Sequence, residues 1–252
     1  MDRSIPFPRY RFPIPLLLAI LASLIKGERR DLHSDAIHAI QGISSPIHLI
    51  GSENIPLQGP ALITMNHYAR QGFFILWAAL AIAAHLPHDQ TWLMTAAWTK
   101  RNSGWDSFVT LFTRALFAKI ADLYGLVTTP PLPPIESESR ERAISIRSIF
   151  REIKANPNTL LCIAPEGRDF AAGELGVPAP GTGIFIGQLA QRLERIVPVA
   201  VWEQDGRLVV HFGEKYGNQD LVDQDDQNIS RIVMDSIACL LPAHGRNNLL
   251  EL

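Results

Sequence analysis

His67 is the side chain in this sequence best suited to proton transfer near neutral pH, because the imidazole pKa lies close to that range. It follows a short apolar run, residues 61–65, and Glu166 with Asp169 follows a second apolar run, residues 159–164. Ligands of open α/β sheets lie beyond the carboxyl ends of the strands. We therefore expect a site where both runs end, although a lone histidine at a strand end is more often structural than catalytic.

Other chemistries lack their usual residue patterns. The sequence contains no Walker loop and no Gly-x-Ser-x-Gly elbow, which disfavours an NTPase and an α/β serine hydrolase. The glycines of residues 181–187 follow a Pro-rich stretch rather than a strand, so close packing explains them better than dinucleotide binding. His85 and His88 are separated by Pro87 and lack further ligands. We expect no metal site.

Alternating apolar runs and turn residues predict the elements that position His67 and Glu166. Strands are predicted over residues 46–51, 61–65, 159–164, 196–202 and 208–212, the last two joined through Asp205-Gly206 as a hairpin. Helices are predicted over residues 31–42, 73–86, 136–155, 183–193 and 226–241. The aromatic-rich residues 91–124 suit either a lipid–water interface or a buried helical layer.

Composition favours one α/β domain, since the 252 residues are 47% hydrophobic and 19% charged. A formal charge of −2 and the absence of a long basic run argue against a nucleic-acid partner. The two cysteines, Cys162 and Cys239, are far apart in apolar stretches, which indicates reduced thiols rather than a disulfide framework.

The first 45 residues are predicted to form a helical segment that associates with a membrane. The apolar run of residues 16–25 is too short to cross a bilayer, which needs about 20 residues. Arginines precede it, and Lys26, Arg29 and Arg30 follow, so an amphipathic helix can lie at the interface among anionic headgroups. A signal peptide and an ordinary core helix remain alternatives. We expect a peripheral protein on the cytoplasmic membrane face.

Three ordered blocks resemble the glycerolipid acyltransferases. Residues 59–67 resemble the opening motif, in which an Asn-His pair (Asn66, His67) follows a strand; residues 164–168 resemble the Pro-Glu-Gly block; and residues 197–200 resemble the later Val-Pro-Val strand. The resemblance implies an α/β domain over residues 46–252, with a mixed, largely parallel sheet flanked by helices. It also implies a fatty acyl thioester of coenzyme A or acyl carrier protein as co-substrate, with no other cofactor, and a membrane-borne lipid acceptor.

The resemblance assigns roles to particular residues. His67 is the general base that takes a proton from the acceptor hydroxyl, and Arg168 binds the acceptor phosphate through its guanidinium. Asn66 and Gly167 belong to the same family blocks and are expected to bind substrate. Arg70 is added because it lies close to His67 in the sequence: it is a second candidate for holding the phosphate or the donor, and a surface arginine is the alternative. Arg168 directly follows Gly167, whereas the family commonly has one residue between them.

One family position is altered. The family places an aspartate five residues after the histidine, where this chain has Gly72. Three explanations stand: Glu166 or Asp169 replaces that carboxylate, His67 works with Gln71 or a backbone carbonyl, or the chain is a non-catalytic lipid- or acyl-carrier-binding relative. We expect an acyltransferase whose catalytic set is His67, Glu166 and Asp169.

Overall fold

A single sheet of mostly parallel strands forms the centre of the molecule. The structure, a computed structural model, describes residues 7–98, 106–131, 138–168, 170 and 174–242. The strands are β1 (His48–Ile50), β2 (Ala61–Met65), β3 (Gln90–Thr95), β4 (Val127–Thr129), β5 (Leu160–Ile163), β6 (Arg195–Gln204), β7 (Arg207–Phe212) and β8 (Tyr216–Gly217). Their order is β1-β7-β6-β2-β5-β3-β4, with β8 also paired to β6. The expected α/β class with a mixed, largely parallel sheet is confirmed.

Helices cover both faces of this sheet. They are α1 (Ile14–Lys26), α2 (Leu32–Ile40), α3 (Ile75–Ala83), α4 (Asp106–Tyr124), α5 (Ser139–Ala155), α6 (Thr182–Leu193) and α7 (Asp226–Ala238). One face packs against α2 and α3, and the other packs against α5, α6 and α7. Every residue of β2 and β5 is buried. The continuous apolar composition of these two runs fits strands covered on both faces.

Close packing accounts for the glycines near the start of α6, as expected from the sequence. A Cβ on Gly183 would lie 2.0 Å from the carbonyl oxygen of Asp226, and one on Gly187 would lie 3.0 Å from Ile229. The Asp226 carboxylate also accepts hydrogen bonds from the backbone N–H groups of Gly181 (2.7 Å) and Ile184 (3.0 Å). These glycines therefore allow α6 to pack directly against α7, and dinucleotide binding is not needed to explain them.

The aromatic-rich segment contains elements that its composition did not predict. Strand β3 occupies its start, α4 fills its second half, and β4 follows, pairing with β3 in parallel.

The Asp205-Gly206 hairpin is confirmed, with φ of 51° and 73° at its two turn residues. Positive φ at both central residues is the requirement of a type I′ turn.

Helix α1 presents a stripe of apolar side chains to solvent. Its exposed members are Ile14, Leu17, Leu18, Leu21 and Ile25, whereas Leu16 and Ser23 are buried. The segment after α1 is fixed by Arg30, which binds the buried Asp35 carboxylate through two contacts of 2.6 Å. No helix within the described ranges has the length and apolar character needed to span a bilayer.

Candidate active site

His67 lies at the carboxyl edge of the sheet, the edge at which the parallel strands end. Strands β2 and β5 are adjacent and parallel, with Thr64 paired to Ile163. The residues that follow them, Asn66-His67 and the block 164–168, therefore meet at this edge. The fold thus brings together the Asn-His motif and the Pro-Glu-Gly block, which are about a hundred residues apart in sequence.

Glu166 connects the two motifs. One carboxylate oxygen accepts a hydrogen bond from the backbone N–H of His67, and the other accepts one from the backbone N–H of Gly176 at 2.6 Å. The residue is 1% exposed. Burial raises the pKa of Glu166 to about 7, against the opposing effect of the two backbone hydrogen bonds. These contacts fix the main chain of His67, so the role of Glu166 seen here is to position the histidine.

Asn66 is engaged by the neighbouring strand β6. Its side chain accepts from the backbone N–H of Val201 at 2.7 Å and donates to the Val201 carbonyl at 2.9 Å. The last paired residue of β2 is Met65, opposite Val199. The amide of Asn66 thus continues the β2–β6 ladder by one step after the backbone of β2 has turned away. It contributes to the site by holding the start of the His67 loop.

Arg70, expected to bind substrate, is paired with a residue that the sequence did not single out. Its Nε and Nη2 atoms bind the two carboxylate oxygens of Glu203, the latter at 2.7 Å, and Nη1 donates to the Gln71 carbonyl at 2.7 Å. Hydrogen bonding to the Glu203 carboxylate, together with its negative charge, raises the pKa of Arg70. Sequence offered only a weak signal for Glu203, namely a carboxylate at the end of an otherwise apolar strand.

Gly72, at the family's aspartate position, lies in a tight turn. The backbone N–H of Phe73 donates to the Arg70 carbonyl at 3.0 Å, and Gly72 has φ of +80°. This is the conformation of the third residue of a type II turn, which favours glycine. A Cβ at this position would have one neighbour within 4 Å, the Nη1 atom of Arg70 at 3.6 Å. The turn therefore explains why glycine is accommodated here.

Arg168 is exposed beside the site. Gly167, with φ of +63°, follows a turn closed by its N–H on the Ala164 carbonyl at 3.0 Å. The guanidinium of Arg168 lies over the Phe170 ring, 4.6 Å from its centroid. Asp169 lies outside the described residues, so its expected role stays a prediction. Arg168 is therefore a cation available to an anionic ligand at the carboxyl edge.

The described residues offer acid–base and electrostatic chemistry. Within the described ranges, no three His, Cys, Asp or Glu side chains are grouped to hold a metal ion. A histidine held by a buried carboxylate, with a solvent-accessible arginine nearby, suits the deprotonation of a hydroxyl on an anionic molecule. The fold and site thus define an α/β protein with a histidine-centred site at the carboxyl edge of its sheet.

Comparisons with known proteins place this arrangement in a family. The model of the acyltransferase family matches residues 46–202, more than half of the chain, and the chain belongs to this family. The match confirms the resemblance to glycerolipid acyltransferases carried by the three motifs and makes the protein an acyltransferase. No curated protein sequence matches the chain significantly.

A solved structure shares the fold. The chain is similar to the crystal structure of PlsC, the 1-acyl-sn-glycerophosphate (LPA) acyltransferase of Thermotoga maritima, with a TM-score of 0.52 and 12% sequence identity. The match covers 89% of this chain and 82% of that one. The likeness therefore extends beyond the segment matched by the family model.

Proposed function

We propose that this acyltransferase moves a fatty acyl group from a thioester to a hydroxyl of a glycerophosphate or lysophospholipid-like acceptor, as a step of phospholipid synthesis. The observation that carries the proposal is the bridge from Glu166 to the backbone N–H of His67, which fixes the main chain of this residue where β2 and β5 end. PlsC acts on 1-acyl-sn-glycerophosphate, which supports an acceptor of this class. The non-catalytic alternative has no support from the family or the fold.

The chemistry follows from the position of His67. Its imidazole takes the proton of the acceptor hydroxyl as the oxygen attacks the thioester carbonyl carbon. The new C–O bond forms and the C–S bond breaks. The departing thiolate of coenzyme A or acyl carrier protein receives the proton back from the imidazolium, so the histidine is regenerated.

Arg168 supplies the cation for an acceptor phosphate in this proposal. A guanidinium binds phosphate through two parallel hydrogen bonds. Arg168 is exposed, whereas three nitrogens of Arg70 already contact Glu203 and the Gln71 carbonyl. We therefore assign the phosphate to Arg168.

The acceptor is reached from a membrane surface in this proposal. The apolar stripe of α1 is exposed at Leu18 (60%) and Ile25 (78%), and Lys26 lies at the end of the helix. Apolar side chains flanked by cations suit a helix lying in the headgroup region. The protein would thus meet a lipid acceptor without spanning the bilayer.

The test is acyl transfer from acyl-coenzyme A and from acyl carrier protein to glycerol 3-phosphate and to lysophospholipids with different headgroups. We expect His67→Ala to lower kcat by about 100- to 10,000-fold. His85→Ala is the control, because His85 lies between α3 and β3, outside the His67 loop, and its ring bonds to the Ala81 carbonyl at 2.7 Å. Absence of transfer by the native protein with every donor and acceptor would refute the proposal.

A matched pair of arginines tests the acceptor assignment. Arg168→Ala should raise KM for phosphate-bearing acceptors about tenfold, the loss of a charge-assisted contact. Arg192→Ala is the control. The guanidinium of Arg192, in α6, lies over the Phe150 ring at 4.3 Å from its centroid, as that of Arg168 lies over Phe170. Equal effects of the two substitutions would contradict the assignment.

A further inference from the structure

Glu203 is a buried carboxylate at the end of β6, beyond the part of the strand that pairs with β2. Strand β6 pairs with β2 as far as Val199 and then continues to Gln204. Along this extension runs the loop that carries His67. Asn66 binds the backbone of Val201. Two residues further along β6, the side chain of Glu203 binds Arg70 of the same loop.

The loop contributes two of the groups that bind Glu203. Arg70 makes a two-point ion pair with it, and the hydroxyl of Tyr68 donates to it at 3.1 Å. A third donor, the hydroxyl of Tyr10 at 2.7 Å, comes from the segment before α1. The Glu203 side chain is 1% exposed. Burial raises the pKa of both tyrosines, which keeps the phenols protonated as donors.

These contacts make the loop geometry costly to change. A buried carboxylate is tolerated only when it is paired and hydrogen-bonded, and loss of one partner leaves an uncompensated charge. Displacement of the loop would remove Arg70 and Tyr68 together from Glu203. The Arg70 guanidinium also binds the Gln71 carbonyl inside the turn at Gly72, so the same group ties this turn to Glu203.

We infer that Glu203 is a positioning residue for acyl transfer: through Arg70 and Tyr68, its carboxylate holds the His67 loop along the extension of β6. The catalytic part of this inference rests on the proposed role of His67 as the base. Asn66 holds one side of the histidine and Glu203 holds the other. Glu203 thus supports the His67 loop, which has Gly72 at the family's aspartate position.

The molecule contains a matched cluster for the control. Asp35 is also a buried carboxylate, 6% exposed, that binds an arginine at two points and accepts from a tyrosine hydroxyl, that of Tyr124, at 2.7 Å. Tyr124 is the last residue of α4, and the parallel strand β4 begins three residues later, so this cluster lies toward the opposite edge of the sheet from His67. Asp35→Asn therefore removes the same chemistry away from the loop.

The experiment compares native protein, Glu203→Gln and Asp35→Asn for transfer kinetics and for hydrogen exchange of residues 66–73. We expect Glu203→Gln to lower kcat by about 10- to 100-fold, as for a misplaced catalytic group, with KM for the thioester within about twofold. Exchange of the loop should rise in Glu203→Gln and stay native in Asp35→Asn, which should also keep kcat.

A double-mutant cycle guards against simple loss of folding. If Arg70 and Glu203 act as one unit, Arg70→Gln combined with Glu203→Gln should lose no more kcat than the worse single variant. Tyr68→Phe, which removes one hydrogen bond and keeps the ion pair, should lose only about two- to fivefold. Multiplicative losses in the double variant would overturn the inference.

Two further outcomes separate this inference from the proposed function. Native kcat and native loop exchange in Glu203→Gln, or an equal kcat loss in Asp35→Asn, would overturn the positioning role. Absence of His67-dependent transfer in the native protein would refute the proposed function and, with it, the catalytic part of the inference. Loop exchange would then still decide whether Glu203 holds the loop, because that measurement needs no turnover.

Discussion

The side-chain amide of Asn66 pairs with both backbone groups of Val201, so that a side chain takes the place of a strand residue at the end of β2. The contact is buried, since Asn66 is 2% exposed and Val201 is fully buried. It lets the main chain turn at His67 while the β2–β6 ladder is still satisfied. His67 is therefore the first residue after the β2–β6 ladder, and the hydrogen bonds of that ladder are complete up to Asn66.

Asn66→Ala should destabilise the fold and reduce turnover together. The substitution leaves the buried N–H and carbonyl of Val201 without this partner, at a cost of about 1–3 kcal/mol for each group. Chemical denaturation of the variant measures this loss. The control is Asn54→Ala, which removes one amide contact to the Phe212 carbonyl at 3.0 Å and should cost less. Equal losses would contradict the ladder interpretation.

The buried Glu166 predicts a specific pH dependence of stability. Its pKa rises from 4.5 to about 7 on folding, so the folded protein binds the extra proton between those values. The stabilisation is present below the unfolded pKa and is lost as pH rises through 7. Above pH 7 the ionised carboxylate is retained at a cost of about 3 kcal/mol relative to the neutral acid.

Glu166→Gln removes this dependence. The Glu166 carboxylate accepts hydrogen bonds from two backbone N–H groups. At any pH the amide NH2 of glutamine faces one of these donors and cannot accept from it, so the variant is destabilised. Its deficit relative to the native protein should shrink by about 2–3 kcal/mol from pH 5 to pH 8, because only the native protein loses stability there. Denaturant unfolding at both pH values measures the difference. Glu53→Gln, at an exposed position, should show no such change.

Much of the site was accessible from sequence because apolar runs identify buried strands. Residues 61–65 and 159–164 were predicted as strands, where the structure has β2 and β5, and polar residues after them define the carboxyl edge of a parallel sheet. The family blocks added the order of the motifs. Adjacency of β2 and β5 became visible only in the fold, since α3, β3, α4, β4 and α5 lie between them in the chain.

The contacts of Glu203 and Arg70 could not be predicted in the same way. The two residues are 133 positions apart, and a charged residue at the end of a strand normally faces solvent. Arg70 beside a histidine was therefore assigned to substrate, whereas it forms an ion pair with a buried carboxylate. Similarly, Glu166 was expected near the imidazole, and the structure shows its oxygens on backbone N–H groups. Side-chain partners depend on register and on loop course, which local patterns do not specify.

Gly72→Asp, which restores the residue type of the family, should not raise activity. The left-handed φ of +80° penalises a side chain by about 1 kcal/mol, although Asp tolerates it better than most residues. The Nη1 atom of Arg70 lies 3.6 Å from a Cβ built at this position, so the introduced carboxylate would compete with Glu203 for Arg70. We expect kcat equal to or below native. Gly72→Ala imposes the same φ without the charge; a kcat of Gly72→Asp above native would show that the carboxylate serves His67 instead.

The apolar stripe of α1 should control attachment to anionic vesicles. Leu18 and Leu21 are 60% and 51% exposed on one side of the helix, and burial of a leucine side chain in an apolar medium contributes about 1.5–3 kcal/mol. Leu18→Glu combined with Leu21→Glu should therefore lower the vesicle partition coefficient by at least about tenfold. The control is Leu57→Glu, because Leu57 is 90% exposed in the loop before β2, remote from α1 in the chain. Co-sedimentation that falls equally in both proteins would assign binding to general surface hydrophobicity, whereas a loss confined to the α1 variant would identify the helix as the membrane contact.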